Sequence, residues 1–342
     1  MEDINEKYAV LKPKYEGLMN AVRFSLEQII SRKEISLFGI DGRVKTLHSF
    51  KNKMTRKPYK EPFNEIEDFC GLRLICYYTS DMNEIADIIK KEFHVLSESD
   101  KQKEAGEDKF GYLSRHFIVN LKDEWLSAPL YECYRDHKIE IQLRTMLMHT
   151  WAAISHKLLY KNESDAPKEL KRRLNRLSAL IELADEQFNI IKDVKSDYVE
   201  RLNNNEGDKN SPLNSDGLIL LVEKYSPGRE LDNDDVSKFL SEIKDCNITI
   251  ADFEHSIQKA MPLMAKFEKE LAALRKKPSL PMWSVTGFCR TLMDLTNDMY
   301  FETRWNESIL EQVSSEDDED EQKYWSTWIL LINKYRAKIK AM

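Results

Sequence analysis

From Ile139 to Arg144 apolar and polar residues alternate without a break, with Ile139, Ile141 and Leu143 in one set and Glu140, Gln142 and Arg144 in the other. A period of two is that of a β-strand, whose successive side chains point to opposite faces. Such a strand belongs to a sheet with a hydrophobic core beneath one face. Its other face carries an acid, an amide and a cation, which implies a cleft above the sheet rather than a second core. Any fold for this chain must therefore contain a sheet with one open, polar face.

Two more segments read as strands. Gly71–Tyr78 is almost wholly apolar, as expected of a central strand covered on both faces, and Phe117–Leu121 is a shorter run of the same kind. Helical spacing surrounds them. Tyr8, Leu11, Tyr15, Leu18, Val22 and Leu26 recur every three or four residues, and further helices are expected from about Thr46 to Lys57, Asp81 to Phe93, Met146 to Tyr160 and Pro167 to Tyr198. Strands mixed with helices in this way predict an α+β domain, a mixed sheet flanked by helices.

The chain has 342 residues, enough for two domains of ordinary size. The polar stretch Asn203–Pro212 interrupts the hydrophobic periodicity and marks a boundary, so we expect a first domain over 1–202, a linker over 203–216 and a second domain over 217–342. That second part is expected to be mainly helical, over Asp232–Cys246, Thr249–Leu274, Trp283–Tyr300 and Asp320–Lys340, with Gly217–Tyr225 as its one candidate strand. With 32% charged residues, a net charge of −7 and no apolar run near the ~20 residues that span a bilayer, a soluble, cytoplasmic protein without membrane contact is expected. The start of the chain is acidic and polar, unlike a signal peptide. The five cysteines form no CxxC pair, which argues against a disulfide framework and a standard zinc site.

Acidity overall makes one local cluster conspicuous: Arg43, Lys45, Lys51, Lys53, Arg56 and Lys57 crowd what reads as one short helical stretch. Cations gathered in this way clamp a polyphosphate and neutralise its charge in phosphoryl transfer. Arg73 and Arg144 lie on the same two strands as two acids of interest, Asp68 just before the first and Glu140 within the second. Carboxylates converging at one sheet edge can hold Mg²⁺, which takes hard oxygen ligands and keeps waters or phosphates in its shell. Each acid taken alone is more simply explained by an ion pair with a neighbouring arginine. A third segment, Lys109–His116, follows the polar loop Ser97–Asp108. Its Gly111 permits a close approach, Tyr112 offers a face for a base to stack on, and His116 can contact phosphate.

In this order the segments closely resemble the RelA/SpoT synthetases. Arg43-Val44-Lys45-Thr46-Leu47-His48-Ser49, with Lys53 and Arg56-Lys57, is similar to their RVKxxxS segment and the basic residues after it. Asp68–Arg73 resembles their DxxGxR motif, Gly111–His116 their GYxSxH segment, and Glu140–Thr145 their ExQxRT motif, while His149, Trp151, His156-Lys157 and Tyr160-Lys161 match the helix that follows. The resemblance spans about Gly42 to Lys161. It implies a nucleotidyltransferase-like fold and transfer of the β,γ-pyrophosphoryl group of ATP to the 3′-hydroxyl of GDP or GTP. Asp68 and Glu140 would bind Mg²⁺, and Glu140 would also accept the proton of the attacking hydroxyl. Arg43, Lys45, Ser49, Lys53, Arg56 and Arg73 would hold ATP. Tyr112 would stack on the acceptor base, and Lys109, His116, Gln142, Arg144 and His149 would line the acceptor side.

Leu113 and Asp108 stand where the family commonly has basic residues, and Ala153 and Ser155 where acids are frequent, so the acceptor stays open. One alternative is a toxic small synthetase of a toxin-antitoxin or phage-defence system that modifies tRNA 3′ ends or adenine nucleotides, its C-terminal domain serving as inhibitor or sensor. Resemblance to the small synthetases implies a homo-oligomer. The last helix puts Trp325, Trp328, Ile329 and Ile332 on one face, which reads either as a docked terminal helix or as a surface for a protein partner or second subunit.

Overall fold

The computed structural model describes residues 4–100, 114–158, 167–204, 207–231, 233–274, 283–305 and 319–342. The chain forms two compact units, Met1–Asp193 and Val194–Met342.

The first unit is built on a five-stranded sheet of order β1-β2-β5-β4-β3, with strands Leu37–Val44 (β1), Cys70–Cys76 (β2), Phe93–Asp100 (β3), Arg115–Leu121 (β4) and Ile139–Thr145 (β5). β2 and β5 run parallel and the other pairs antiparallel. The apolar halves of the two central strands, Leu72, Leu74, Ile141 and Leu143, are sealed in one core with Leu18, Val22 and Leu26 of helix α1 (Ile4–Ser31). The same core takes Ile85 and Ile89 from a later helix over Thr79–Glu92. Buried methylenes at about 25 cal/mol per Å² supply the main stabilisation.

The structure departs from the sequence reading at several elements. β1 and β3 were not legible: both are the edges of the sheet, and in β1 only Ile40 is buried, so neither carries a hydrophobic period. Arg43 therefore sits on a strand, and the helix with the basic cluster, α2, covers only Leu47–Arg56. Residues Ser97–Asp100 belong to β3 rather than to a loop. Nor is β2 covered on both faces throughout, because Gly71 and Arg73 are half-exposed on its polar side.

Short helices α3 (Pro62–Glu65), α4 (Thr79–Glu92) and α5 (Asp123–Leu126) fill the connections, and α6 (Met146–Leu158) follows β5 directly. Helix α7 (Lys168–Asn203) is tied to the sheet by Asp185, Asn189 and Lys192, spaced by four and three residues on one face. Asp185 Oδ2 accepts from Thr145 Oγ1 at 2.7 Å, Asn189 Oδ1 from Ser80 N at 3.0 Å, and Lys192 Nζ donates to Asp81 at 2.5 Å.

The second unit is helical in its described residues: α8 (Ser215–Tyr225), α9 (Asn233–Glu242), α10 (Ile250–Leu274), α11 (Val285–Thr296), α12 (Asp298–Arg304) and α13 (Glu319–Lys340). Gly217–Tyr225, the candidate strand, is helical. Asn214 caps it by accepting from Gly217 N, and Gly217, Leu218, Leu221 and Val222 bury one helical stripe. Within this unit the backbone of Leu213 donates to Ile248 O and Ala251 N donates to Lys209 O, while Lys209 Nζ reaches Glu254 at 2.6 Å. The compact units part between Asp193 and Val194, inside α7, ahead of the polar stretch. Trp328, Ile332, Tyr335 and Ile339 of α13 are buried in the second core, so the terminal helix is docked on its own unit.

Candidate active site

The register of the sheet assembles the polar cleft row by row. Arg43 of β1 stands opposite Gly71, and Gly71 opposite Glu140; in the next row Asp41 faces Arg73, Arg73 faces Gln142, and Gln142 faces His116. Side chains of registered neighbours share a face. Four strands thus deliver Arg43, Asp41, Arg73, Glu140, Gln142 and His116 to one surface, and Asp68, two residues before β2, closes its edge.

Asp68 is held by two cations: Lys45 Nζ lies 2.9 Å from Oδ2 and Lys53 Nζ 2.8 Å from Oδ1. Lys45 is anchored by its backbone, which donates to Phe69 O at 2.8 Å and accepts from the Tyr8 hydroxyl at 3.0 Å. Lys53 comes from α2, whose cap Thr46 accepts from Ser49 N and donates to Ser49 Oγ. Spacings of four and three put Ser49, Lys53 and Arg56 on one side of that helix. Burial pushes the Asp68 carboxyl up, and the hydrogen bonds and charges of Lys53 and Lys45 outweigh it, holding it below the usual aspartate range.

Glu140 is gripped at both oxygens. His116 Nδ1 lies 2.9 Å from Oε1, and Gln142 Nε2 donates to Oε2 at 3.0 Å. Gln142 Oε1 in turn accepts from Arg73 Nε at 3.3 Å and from Arg144. Burial again raises the Glu140 carboxyl, the bond and charge of His116 and the Gln142 amide lower it further, and Asp68 opposes them, leaving it net depressed. His149, on α6, is shifted downward by burial, with Arg144 and Arg73 adding to the effect and Asp41 resisting it. Its buried Nδ1 has no hydrogen-bond partner among the described residues.

The structure thus brings together Arg43, Lys45, Lys53, Asp68, Arg73, His116, Glu140, Gln142, Arg144 and His149. Tyr112 and Lys109 lie outside the described residues. His116, expected on the acceptor side, is bonded to Glu140. Two polar residues were missed: Asp41, whose strand was not recognised, and Ser114, which lies 2.7 Å from His116 Nε2. The signal for each was the period of two, counted back from Arg43 and from His116.

The donor set fits a divalent cation. Asp68, Gly71 and Glu140 line the same pocket, Asp68 and Glu140 repel each other electrostatically, and a Cβ at Gly71 would stand 3.9 Å from Glu140 Oε2. Two carboxylates, with the remaining positions left to water and phosphate, are what Mg²⁺ usually takes from a protein.

An acidic pair at the edge of a cation-lined cleft above a mixed sheet defines an enzyme that transfers phosphoryl or pyrophosphoryl groups. Residues 42–165 match the family described as "Region found in RelA / SpoT proteins". Over 158 residues the chain is 33% identical to GTP pyrophosphokinase YjbM of Bacillus subtilis, covering 45% of this chain and 71% of that protein. It is 31% identical over 155 residues to GTP pyrophosphokinase YwaC of the same organism, covering 44% and 71%. Among solved structures it is similar to small alarmone synthetase 1 from Bacillus subtilis bound to its product pppGpp, with 29% identity, a TM-score of 0.46 and coverage of 55% of this chain and 96% of that one. The chain belongs to the RelA/SpoT family and is a pyrophosphokinase.

Proposed function

We propose that the enzyme transfers the β,γ-pyrophosphoryl group of ATP to the 3′-hydroxyl of GDP or GTP. The observation that carries this reading is that Asp68 and Glu140 line one pocket with Arg43, Gly71 and Arg73, Asp68 paired with Lys45 and Lys53 and Glu140 bonded to His116 and Gln142. Arg43, Lys45, Ser49, Lys53, Arg56 and Arg73 hold ATP in this reading, and a bound triphosphate draws the two lysines off Asp68. Asp68 and Glu140 would hold Mg²⁺, which supplies charge neutralisation at the transferring group.

Glu140, kept ionised by His116 and Gln142, accepts the proton as the acceptor O–H bond breaks. The freed oxygen bonds to the β-phosphorus, and the bond from that phosphorus to the α-phosphate oxygen breaks, leaving AMP with the electron pair. His149, Gln142 and Arg144 line the acceptor side, together with Tyr112 and Lys109.

Helix α7 exposes Leu177, Leu180, Leu183, Ile190 and Ile191, an apolar stripe that supports a homo-oligomer. Among the described residues no helix is long and apolar enough to cross a membrane. Incubation with γ-labelled ATP and Mg²⁺ alongside GDP, GTP, ATP or bulk tRNA tests the acceptor. Label in GDP or GTP is expected; label only in tRNA or an adenine nucleotide replaces the acceptor assignment.

A further inference from the structure

His116 makes a two-sided bridge. Its Nδ1 meets Glu140 Oε1 at 2.9 Å and its Nε2 meets Ser114 Oγ at 2.7 Å, so that Ser114, His116 and Glu140 form a continuous hydrogen-bonded chain along adjacent strands. Ser114 is 2% exposed, and His116 stands opposite Gln142 in the register. A carboxylate that only accepts can be held at Oε1 only by a donor, so Nδ1 carries a hydrogen and Ser114 is left to face Nε2. The Ser114 hydroxyl at Nε2, accepting from the imidazolium or donating to the neutral ring, fixes the ring plane, as outer partners do for metal-bound histidines. Gln142 fixes the other oxygen, and between them the two grips determine the rotation of the carboxylate, leaving its remaining lone pairs for the cleft.

We propose that Ser114 and His116 are positioning residues for Glu140: Ser114 orients the imidazole, and the imidazole orients the carboxylate that receives the acceptor proton. The proposal rests on the transfer reaction put forward above. It separates His116 from the acceptor-binding residues, since its action is on the carboxylate and not on substrate.

Steady-state kinetics of Ser114→Ala, His116→Ala, His116→Asn and the double variant Ser114→Ala/His116→Asn test it, with thermal melts to confirm that each is folded. Asparagine returns a donor near the place of Nδ1 but has no counterpart to Nε2. His116→Ala should lose ~10–100-fold in kcat, the usual loss for an outer-shell partner, with the KM for either substrate near that of the wild type. His116→Asn should recover most of this loss. Ser114→Ala should lower kcat severalfold in the parent and have no effect in the His116→Asn background, because the link it acts through is gone. A raised acceptor KM with unchanged kcat in His116→Ala, no recovery in His116→Asn, or additive losses in the double variant would overturn the proposal while leaving the reaction in place. Absence of transfer by the wild-type chain itself would overturn the reaction, and the proposal with it.

Discussion

Gly71 and Glu140 stand directly opposite one another in the parallel register of β2 and β5, and the bare backbone at 71 forms cleft floor beside Glu140 in the pocket that Asp68 also lines. A Cβ at 71 meets only Glu140 O at 3.7 Å and Glu140 Oε2 at 3.9 Å, which is ordinary contact. Gly71→Ala should therefore fold normally, whereas the larger side chain of Gly71→Val should crowd the Glu140 carboxylate. The expected result is a higher Mg²⁺ requirement for Gly71→Val at an unchanged melting temperature. Equal Mg²⁺ dependence in parent and valine variant would remove this floor from the metal site.

Glu140→Gln keeps the size and the hydrogen bond to Gln142 but no longer accepts a proton. Turnover should fall by more than roughly a hundredfold, the lower range for removing a positioned base, with a circular dichroism spectrum like the parent's. Near-normal turnover would contradict the role given to this carboxylate. Asp68→Asn should likewise lose most activity and respond less to added Mg²⁺.

Donor and acceptor sides can be separated by substrate. Arg43→Ala and Lys53→Ala should each raise the KM for ATP roughly tenfold or more, on the scale of a charge-assisted hydrogen bond, ~1.5–3 kcal/mol. Tyr112→Ala should chiefly weaken the acceptor, by the ~1–3 kcal/mol of base stacking. A shared loss of ATP affinity in all three would show the two sides to be wrongly divided.

What the sequence reveals and what it hides follow from position in the sheet. β2 and β5 are central, so each needs an unbroken apolar face, and Leu72, Leu74, Ile141 and Leu143 announce it. β1 and β3 have one neighbour each and little to bury, and their sequences read as polar loop or helix. The cleft inherits the same asymmetry: Glu140, Gln142 and Arg144 were plain from alternation, while Asp41 was hidden with its strand. Gly217–Tyr225 misled for another reason. The apolar run Leu218–Val222 has no period of its own, and only the Asn214 cap and the packing of Gly217 against Ile250 select a helix.

Asp185 gives a pH-dependent signature. The residue is 2% exposed, its carboxyl accepts from Thr145 Oγ1, and its second oxygen is buried with no partner among the described residues. Burial pushes it up from 3.8 to about 6, against the Thr145 hydrogen bond. A raised value in the folded state means that stability is fully present below the unfolded value and is lost as pH rises through the folded one, here from about 4 to about 6. Asp185→Asn does not ionise, so its melting temperature relative to the parent should improve between about pH 4 and pH 7.5. A difference independent of pH would show that Asp185 stays ionised in the fold.

The two units are proposed to fold independently. A chain ending between Ser196 and Leu202 keeps Asp185, Asn189 and Lys192 and should be soluble and bind ATP. Higher activity in the short chain would mark the C-terminal helices as an inhibitor. Equal or lower activity with altered oligomer size would mark an assembly role. Insolubility would join both halves in one cooperative core.

The reaction itself is tested most directly by what becomes of ATP. Attack at the β-phosphorus releases AMP and adds two phosphates to the acceptor in one step, whereas attack at the γ-phosphorus releases ADP and adds one. Chromatography of a turnover mixture containing ATP, Mg²⁺ and GDP should show AMP and a product carrying a 3′-diphosphate in equal amounts, both absent with Glu140→Gln. ADP as the nucleotide product, or AMP formed without a pyrophosphorylated acceptor, would contradict the account.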